Sequence, residues 1–191
     1  MNQYPDRLAP LAPETWSADQ KQYAEEIING PRGGLLSPFI PLMRSPELMA
    51  HASRMGEYLR YRSALGLRLS ELAILITARQ WSQQVEWAIH APIALREGVS
   101  AQTIEAIREG RQPESLQEDE ALLYAFSTEL FRNQSVCDQT YERALQQFGE
   151  QGVMDLVGIN GYYSLLSMVM NVARTPVPAS SAQPLVSMPA V

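Results

Sequence analysis

The sequence predicts an all-α protein, and three observations lead to that fold class. Apolar residues between positions 46 and 173 recur at helical spacing. The successive stretches open on residues suited to helix starts, Ser or Pro among them, and several close on Gly. One stretch, Leu72 to Ala78, is apolar nearly all round, a pattern that only a helix in the middle of a bundle can bury.

The first 45 residues are dense in Pro and Gly (Pro5, Pro10, Pro13, Gly30, Gly33, Gly34, Pro38, Pro41). They hold one helical stretch, Ser17 to Asn29, with Ser17 as N-cap and Asp19 and Glu25 on its polar side. Such an arm is expected to wrap over a surface. Ser45-Pro46-Glu47 opens the next helix with Pro at the first helical position. Leu48, Met49, Ala52, Met55, Tyr58 and Leu59 keep helical spacing there, and the end is expected near Gly66. Ser70 is the expected cap of the apolar helix. That run breaks at Trp81-Ser82, where a tight turn is expected and Ser82 caps a helix carrying Glu86, Trp87, His90, Ile93 and Ala94 as far as Gly98. Ser100 caps a short helix over 101–109 closed by Gly110. Helices over 117–133, 138–148 (closed by Gly149) and 151–173 follow. Beyond Arg174 the chain is rich in Pro and Ser and has no face to bury, so a mobile tail is expected. The division is an arm (1–45), a helical domain (46–174) and a disordered tail (175–191).

Composition narrows the classes of function. A chain of 191 residues, 46% hydrophobic and 19% charged, has room for one core. A net charge of -6, a pI near 5.0 and no basic stripe remove the electrostatic attraction that nucleic acid or an anionic membrane requires, so neither is an expected partner. No apolar segment follows a basic start, and a cytoplasmic location is expected. The longest apolar run, 153–173, is interrupted by Asp155, Gly158, Asn160, Gly161 and Asn171, and reads as a buried helix. Tyr162, Tyr163, Met168 and Met170 on it suit packing or subunit contact, as do the two glycines. Cys137 stands alone, which excludes by counting an intramolecular disulfide, a Cys-x-x-Cys pair and a multi-cysteine zinc site. Cys137 and His51 read as structural. His51 is not spaced with His90 as a ligand pair, and no metal is expected.

The chemistry is carried by three residues. Glu86 and His90 stand four apart on one helical face, with roughly 5–6 Å between Cβ atoms. Glu71 precedes Glu86 by fifteen positions, about 22 Å along a straight helix. If residues 71–80 and 83–97 double back about position 81, however, Glu71 comes opposite Ala91 and the three converge. An imidazole between two carboxylates beside an apolar helix suits general acid-base work: one carboxylate orients the ring, while desolvation lifts the other's pKa. Glu71 also suits a simpler role, as a first-turn acid against the helix dipole, and Glu86 with His90 that of a surface pair or of a satisfied structural pair.

Leu69-Ser70-Glu71-Leu72-Ala73-Ile74-Leu75 and Glu86-Trp87-Ala88-Ile89-His90-Ala91-Pro92-Ile93-Ala94-Leu95-Arg96-Glu97-Gly98-Val99-Ser100 resemble the signature of the carboxymuconolactone decarboxylase and alkylhydroperoxidase-D-like family, over about residues 65–110. The resemblance implies an alkylhydroperoxidase-D-like helical bundle with a central antiparallel helical hairpin, assembled as a homo-oligomer, trimer or hexamer. In the peroxidase relatives a Glu precedes Cys-x-x-Cys, and a His follows four residues after the second Cys. With that His placed on His90, Gln83 and Glu86 fall at the cysteines and Glu71 at the relay glutamate. Because neither position has a thiol, the resemblance implies the decarboxylase branch, which acts on acidic lactones by proton transfer without a metal or organic cofactor.

The expected function is therefore a cofactor-independent lyase or isomerase acting on a small anionic lactone or ring, with His90, Glu86 and Glu71 catalytic. Of Arg60, Arg62, Arg68 and Arg79, the candidates for binding the anion are Arg62 and Arg79. Tyr58, Tyr61 and Trp87 are candidates for lining the pocket. The alternatives are an alkylhydroperoxidase-like antioxidant acting through Cys137 and a non-catalytic, ligand-binding oligomer. Replacing His90 by Gln is expected to abolish turnover and leave the melting temperature nearly unchanged.

Overall fold

A capping box starts the first helix: the Ser17 hydroxyl accepts from the backbone of Gln20, and the Gln20 side chain accepts from the backbone of Ser17. In the computed structural model, which describes residues 5–180 and 182–187, this helix is α1 (Ala18–Asn29). It is followed by α2 (Phe39–Leu42), α3 (Pro46–Tyr61), α4 (Gly66–Gln80), α5 (Gln84–Arg96), α6 (Ala101–Arg108), α7 (Glu118–Asn133) and α8 (Asp138–Ala173). The described residues contain helices and no strand, as the sequence predicts.

The arm wraps as expected. The Arg7 backbone donates to Ala173 at the end of α8, Arg44 donates to the carbonyls of Leu8 and Ala9, and α1 packs on α3. The nearly all-apolar α4 is the centre of the molecule: every residue from Leu69 to Arg79 is buried, and α5, α8, α7, α3 and α6 all pack against it. Gly149 breaks α8 with φ 69° and ψ 172°, at the place where the sequence closes one helix and begins another. By length and composition α8 could cross a membrane, but 61% of its most apolar window is buried within the fold, as befits a core helix.

Two helix starts differ from expectation. α3 ends at Tyr61, and α4 begins at Gly66 with Leu65 at its N-cap, so Ser70 lies inside the helix instead of capping it. The reason is tertiary. Asp155, buried on α8, accepts from the Tyr58 hydroxyl at 2.9 Å and from the Ala64 backbone at 2.8 Å, and so holds the α3–α4 turn without a local cap. Ser82 does not cap α5 either. It sits in the left-handed region (φ 49°) at the end of α4, where the Ser82 N–H bonds the Arg79 carbonyl and the Gln83 N–H bonds the Ala78 carbonyl. This is the two-bond closure that ends many helices, here with Ser in the place usually taken by Gly. Gln83 then caps α5 through its side chain, accepting from Val85 at 2.6 Å. The corner is pinned to α8 by Trp81 Nε1 on Ser164, Gln83 on Asn171 and Asn171 on the Trp81 carbonyl. The chain therefore doubles back where the sequence places the turn, and α4 and α5 form the antiparallel hairpin.

The segment after Arg174 is not the loose tail the sequence suggests. Pro92 lies inside α5 and has no N–H for the Ala88 carbonyl, and Ser180 Oγ supplies the missing donor at 2.6 Å. The Gln84 side chain exchanges two hydrogen bonds with the Leu185 backbone, and Trp87 Nε1 donates to the Gln183 carbonyl. Arg79 donates to the Val186 carbonyl, and Val186 donates to that of Arg108. Leu185 is buried at 4% exposure. A polar segment that offers α4, α5 and α6 its backbone groups needs no apolar face of its own to dock. Residues 181 and 188–191 of the expected tail lie outside the described residues.

Candidate functional site

Glu71 lies on the second turn of α4, and Glu86 and His90 lie on the first two turns of α5. The hairpin brings them together as the spacing anticipates. His90 Nδ1 is 2.7 Å from Glu71 Oε2, and His90 Nε2 is 3.3 Å from Glu86 Oε2. All three are buried, with residual exposures of 3% for His90, 1% for Glu71 and 2% for Glu86. The bland readings of a surface pair and of a first-turn acid do not describe these positions.

Burial pulls the His90 pKa down, but the Glu71 charge and hydrogen bond, with those of Glu86, outweigh it and lift the imidazole to about 9. At neutral pH the ring is therefore an imidazolium, hydrogen-bonded to Glu71 through Nδ1 and ion-paired with Glu86 through Nε2. Oε1 of Glu86 is shielded from solvent and has no hydrogen-bond partner among the described residues. It is the one carboxylate oxygen of the trio that is both buried and unsatisfied.

An aromatic wall from α8 closes the site. Tyr163 meets the His90 ring edge-on at 5.2 Å between centroids, and Tyr162 meets Tyr163 in the same way at 5.2 Å. Burial, then the charges of Glu86 and Glu71, push the Tyr163 phenol well above its usual range, so it faces the trio as a neutral group. The sequence presents the tyrosines only as packing residues. Their helical spacing fits a core stripe equally well, and nothing local shows that this stripe faces His90.

The other candidates are placed elsewhere. Arg79 donates to the carbonyls of Arg108 and Val186 and to Ser82, and so binds α4 to α6 and to the C-terminal segment. Arg62 is exposed at the end of α3 with its guanidinium 5.6 Å over the Tyr58 ring, and Tyr61 is 44% exposed under Arg60. Arg68 pairs with Asp119 and Glu120 of α7. Trp87 is 1% exposed and directs its indole N–H to the C-terminal segment. Cys137 is exposed at the start of α8, where its thiol contacts Thr140. His51 is exposed on α3. No cluster of three or more His, Cys, Asp or Glu arranged to hold a metal occurs among the described residues.

Residues 46–126 match the model of the carboxymuconolactone decarboxylase family. Two solved structures share the fold. One is an uncharacterized peroxidase-related protein from a Silicibacter species, 13% identical, with a TM-score of 0.74 over 93% of this chain and 94% of that one. The other, from Ralstonia eutropha, is described as an alkylhydroperoxidase core and as an uncharacterized peroxidase-related protein. It is 13% identical, with a TM-score of 0.75 over 92% of this chain and 94% of that one. At such identity the likeness is one of fold. No protein of curated function gives a significant match.

Proposed function

We propose, from the match of residues 46–126 to the carboxymuconolactone decarboxylase family model and from the geometry of the trio, that this chain is an acid-base catalyst, a decarboxylase-like lyase or an isomerase, acting on a small carboxylated lactone or ring. The observation that carries the reading is the unpartnered Oε1 of Glu86 beside a buried imidazolium. Both nitrogens of His90 are already engaged, so the trio meets a substrate through Glu86. His90 bridges Glu86 to Glu71 and decides when Glu86 holds a proton, and Glu71 fixes the ring's orientation. In an isomerisation Glu86 takes a proton from the carbon next to a carbonyl. The C–H electron pair moves into that carbonyl, and the proton returns at another carbon. In a decarboxylation the pair of the breaking C–C bond moves into the conjugated carbonyl as carbon dioxide leaves, and the carbanion takes its proton from the same relay. Cys137 is exposed at the start of α8 whereas the trio is buried, and this favours proton transfer over thiol chemistry.

Glu86→Gln preserves volume and removes the base. Its kcat is expected to fall by about 10^2 to 10^4, read as deuterium uptake or carbon dioxide release across a panel of small carboxylated lactones. Wild-type activity in the variant rejects the role of Glu86. Saturable stabilisation of the wild type by the panel without any turnover points instead to a ligand-binding protein.

We also propose that the protein self-associates through α8. Met154 (60% exposed), Val157, Gly161, Met168 and Val172 (63% exposed) recur at helical spacing along its outer face. Light scattering is expected to give a multiple of the 21.3 kDa chain, and Met154→Glu with Val172→Glu is expected to reduce it to one chain. A wild type that scatters as a single chain rejects the interface.

A further inference from the structure

The cation sought on the helices before the site is found in the arm. Arg32 belongs to the loop after α1, Gly30-Pro31-Arg32-Gly33-Gly34, and its guanidinium carbon stands 4.9 Å over the Phe39 ring of α2. Its Nε and Nη2 are shielded from solvent and have no hydrogen-bond partner among the described residues. Those two nitrogens form one edge of the guanidinium plane, an edge that can receive a carboxylate through two parallel bonds. The Tyr162 hydroxyl is also shielded, on a residue that is 2% exposed, and makes no hydrogen bond of good geometry, although it faces Arg32.

The two groups meet over Gly56 of α3. A Cβ at that position would run into the Tyr162 hydroxyl and into Arg32 Nη2, so the absent side chain is what admits both. Tyr162 also lies against Tyr163, which lies against His90. Its phenol is pushed up to about 12 by burial, with the Arg32 charge lowering it and the Glu86 charge raising it, so it lies within electrostatic reach of both. The arm and the trio thus leave four buried polar atoms without a hydrogen bond of good geometry, Arg32 Nε and Nη2, the Tyr162 hydroxyl and Glu86 Oε1, and the charges of Arg32 and Glu86 both act on Tyr162. Unsatisfied buried groups are costly, and a carboxylate at the Arg32 end satisfies three of the four.

We propose that the Nε–Nη2 edge of Arg32 and the Tyr162 hydroxyl bind the carboxylate of the substrate and hold the reacting ring toward Glu86. This rests on reading Glu71, Glu86 and His90 as the acid-base site. It makes Arg32 a specificity residue supplied from outside the family segment of residues 46–126.

The test uses the full chain and two probes, 5-oxotetrahydrofuran-2-carboxylate and its uncharged parent γ-butyrolactone, with binding measured by calorimetry. The wild type is expected to prefer the carboxylate. Arg32→Gln is expected to weaken carboxylate binding about 10- to 100-fold and leave the neutral lactone unchanged. Arg32→Lys, which keeps the charge without the fork, is expected to fall between them. Tyr162→Phe repeats the selectivity loss on a smaller scale. If Arg32→Gln leaves the preference for the carboxylate unchanged, or if no such preference exists in the wild type, the assignment is overturned. Loss of turnover in Glu86→Gln with no effect of Arg32 on selectivity would overturn this subsite alone. Arg32-dependent binding without turnover in the wild type would uphold the subsite and overturn the catalytic reading.

Discussion

His90→Gln is expected to destabilise the protein by about 3–5 kcal/mol at neutral pH, the cost typical of removing one partner from a buried ionic group. The sequence alone suggests that this substitution spares the melting temperature, and the structure revises that expectation. The imidazolium stands between two carboxyl groups that are 1% and 2% exposed, and its removal leaves two buried acids facing each other with no cation between them. Neutralising all three groups together, as Glu71→Gln, Glu86→Gln and His90→Gln, is expected to recover most of the loss in urea unfolding. A single variant as stable as the wild type contradicts the account.

The same trio imposes a pH dependence. The folded pKa of His90, about 9, lies above its unfolded value of about 6.5. The folded state therefore holds this proton more tightly, and the contribution is fully present below about pH 6.5. It declines as pH rises and is lost through pH 9, for a total of about 3 kcal/mol. Urea midpoints of the wild type are expected to fall across that window, and those of His90→Gln to lack this component. Parallel slopes in the two proteins would show that the ring is not charged in the folded state.

Trp87→Ala is expected to cost about 3–5 kcal/mol as well, by a different mechanism. The indole is 1% exposed within the core, and its N–H donates to the Gln183 carbonyl at 2.8 Å. Truncation opens a cavity under α5 and removes one of the bonds that seat the C-terminal segment. Faster proteolytic trimming of that segment is expected to accompany the lower urea midpoint. Trp87→Phe keeps most of the packing and loses the bond, so it is expected to cost only about 1 kcal/mol. A Trp87→Ala protein within that smaller margin, with its C-terminal segment still protected, would show that the ring is a removable pocket wall, the part the sequence suggested for it.

How far the site is legible depends on how far apart its parts lie in the chain. Glu86 and His90 are four residues apart, and helical periodicity alone puts them on one face. Glu71 joins them through a single turn whose breaker residues are visible at Trp81-Ser82. The turn's chemistry is less legible, because a left-handed Ser82 and a capping Gln83 depend on Ala78, Asn171 and Ser164. Arg32 is absent from the sequence reading and Tyr162 enters it only as a packing residue, because nothing local marks either as part of a site. They meet only where α3 lacks a side chain at Gly56.

By itself the sequence determined the helices, their order, the hairpin and the meeting of two acids with one imidazole, because these follow from caps, breakers and periodicity acting over a few residues. The tertiary structure alone decided that the trio is buried with its ring held charged by the two carboxylates, that Arg79 serves α6 and the C-terminal segment while Arg68 pairs with α7, and that the Ala88 carbonyl freed by Pro92 is met by Ser180, 92 residues further along the chain. Burial and distant hydrogen-bond partners are properties of what packs alongside a residue, and the order of amino acids along one helix does not record its neighbours.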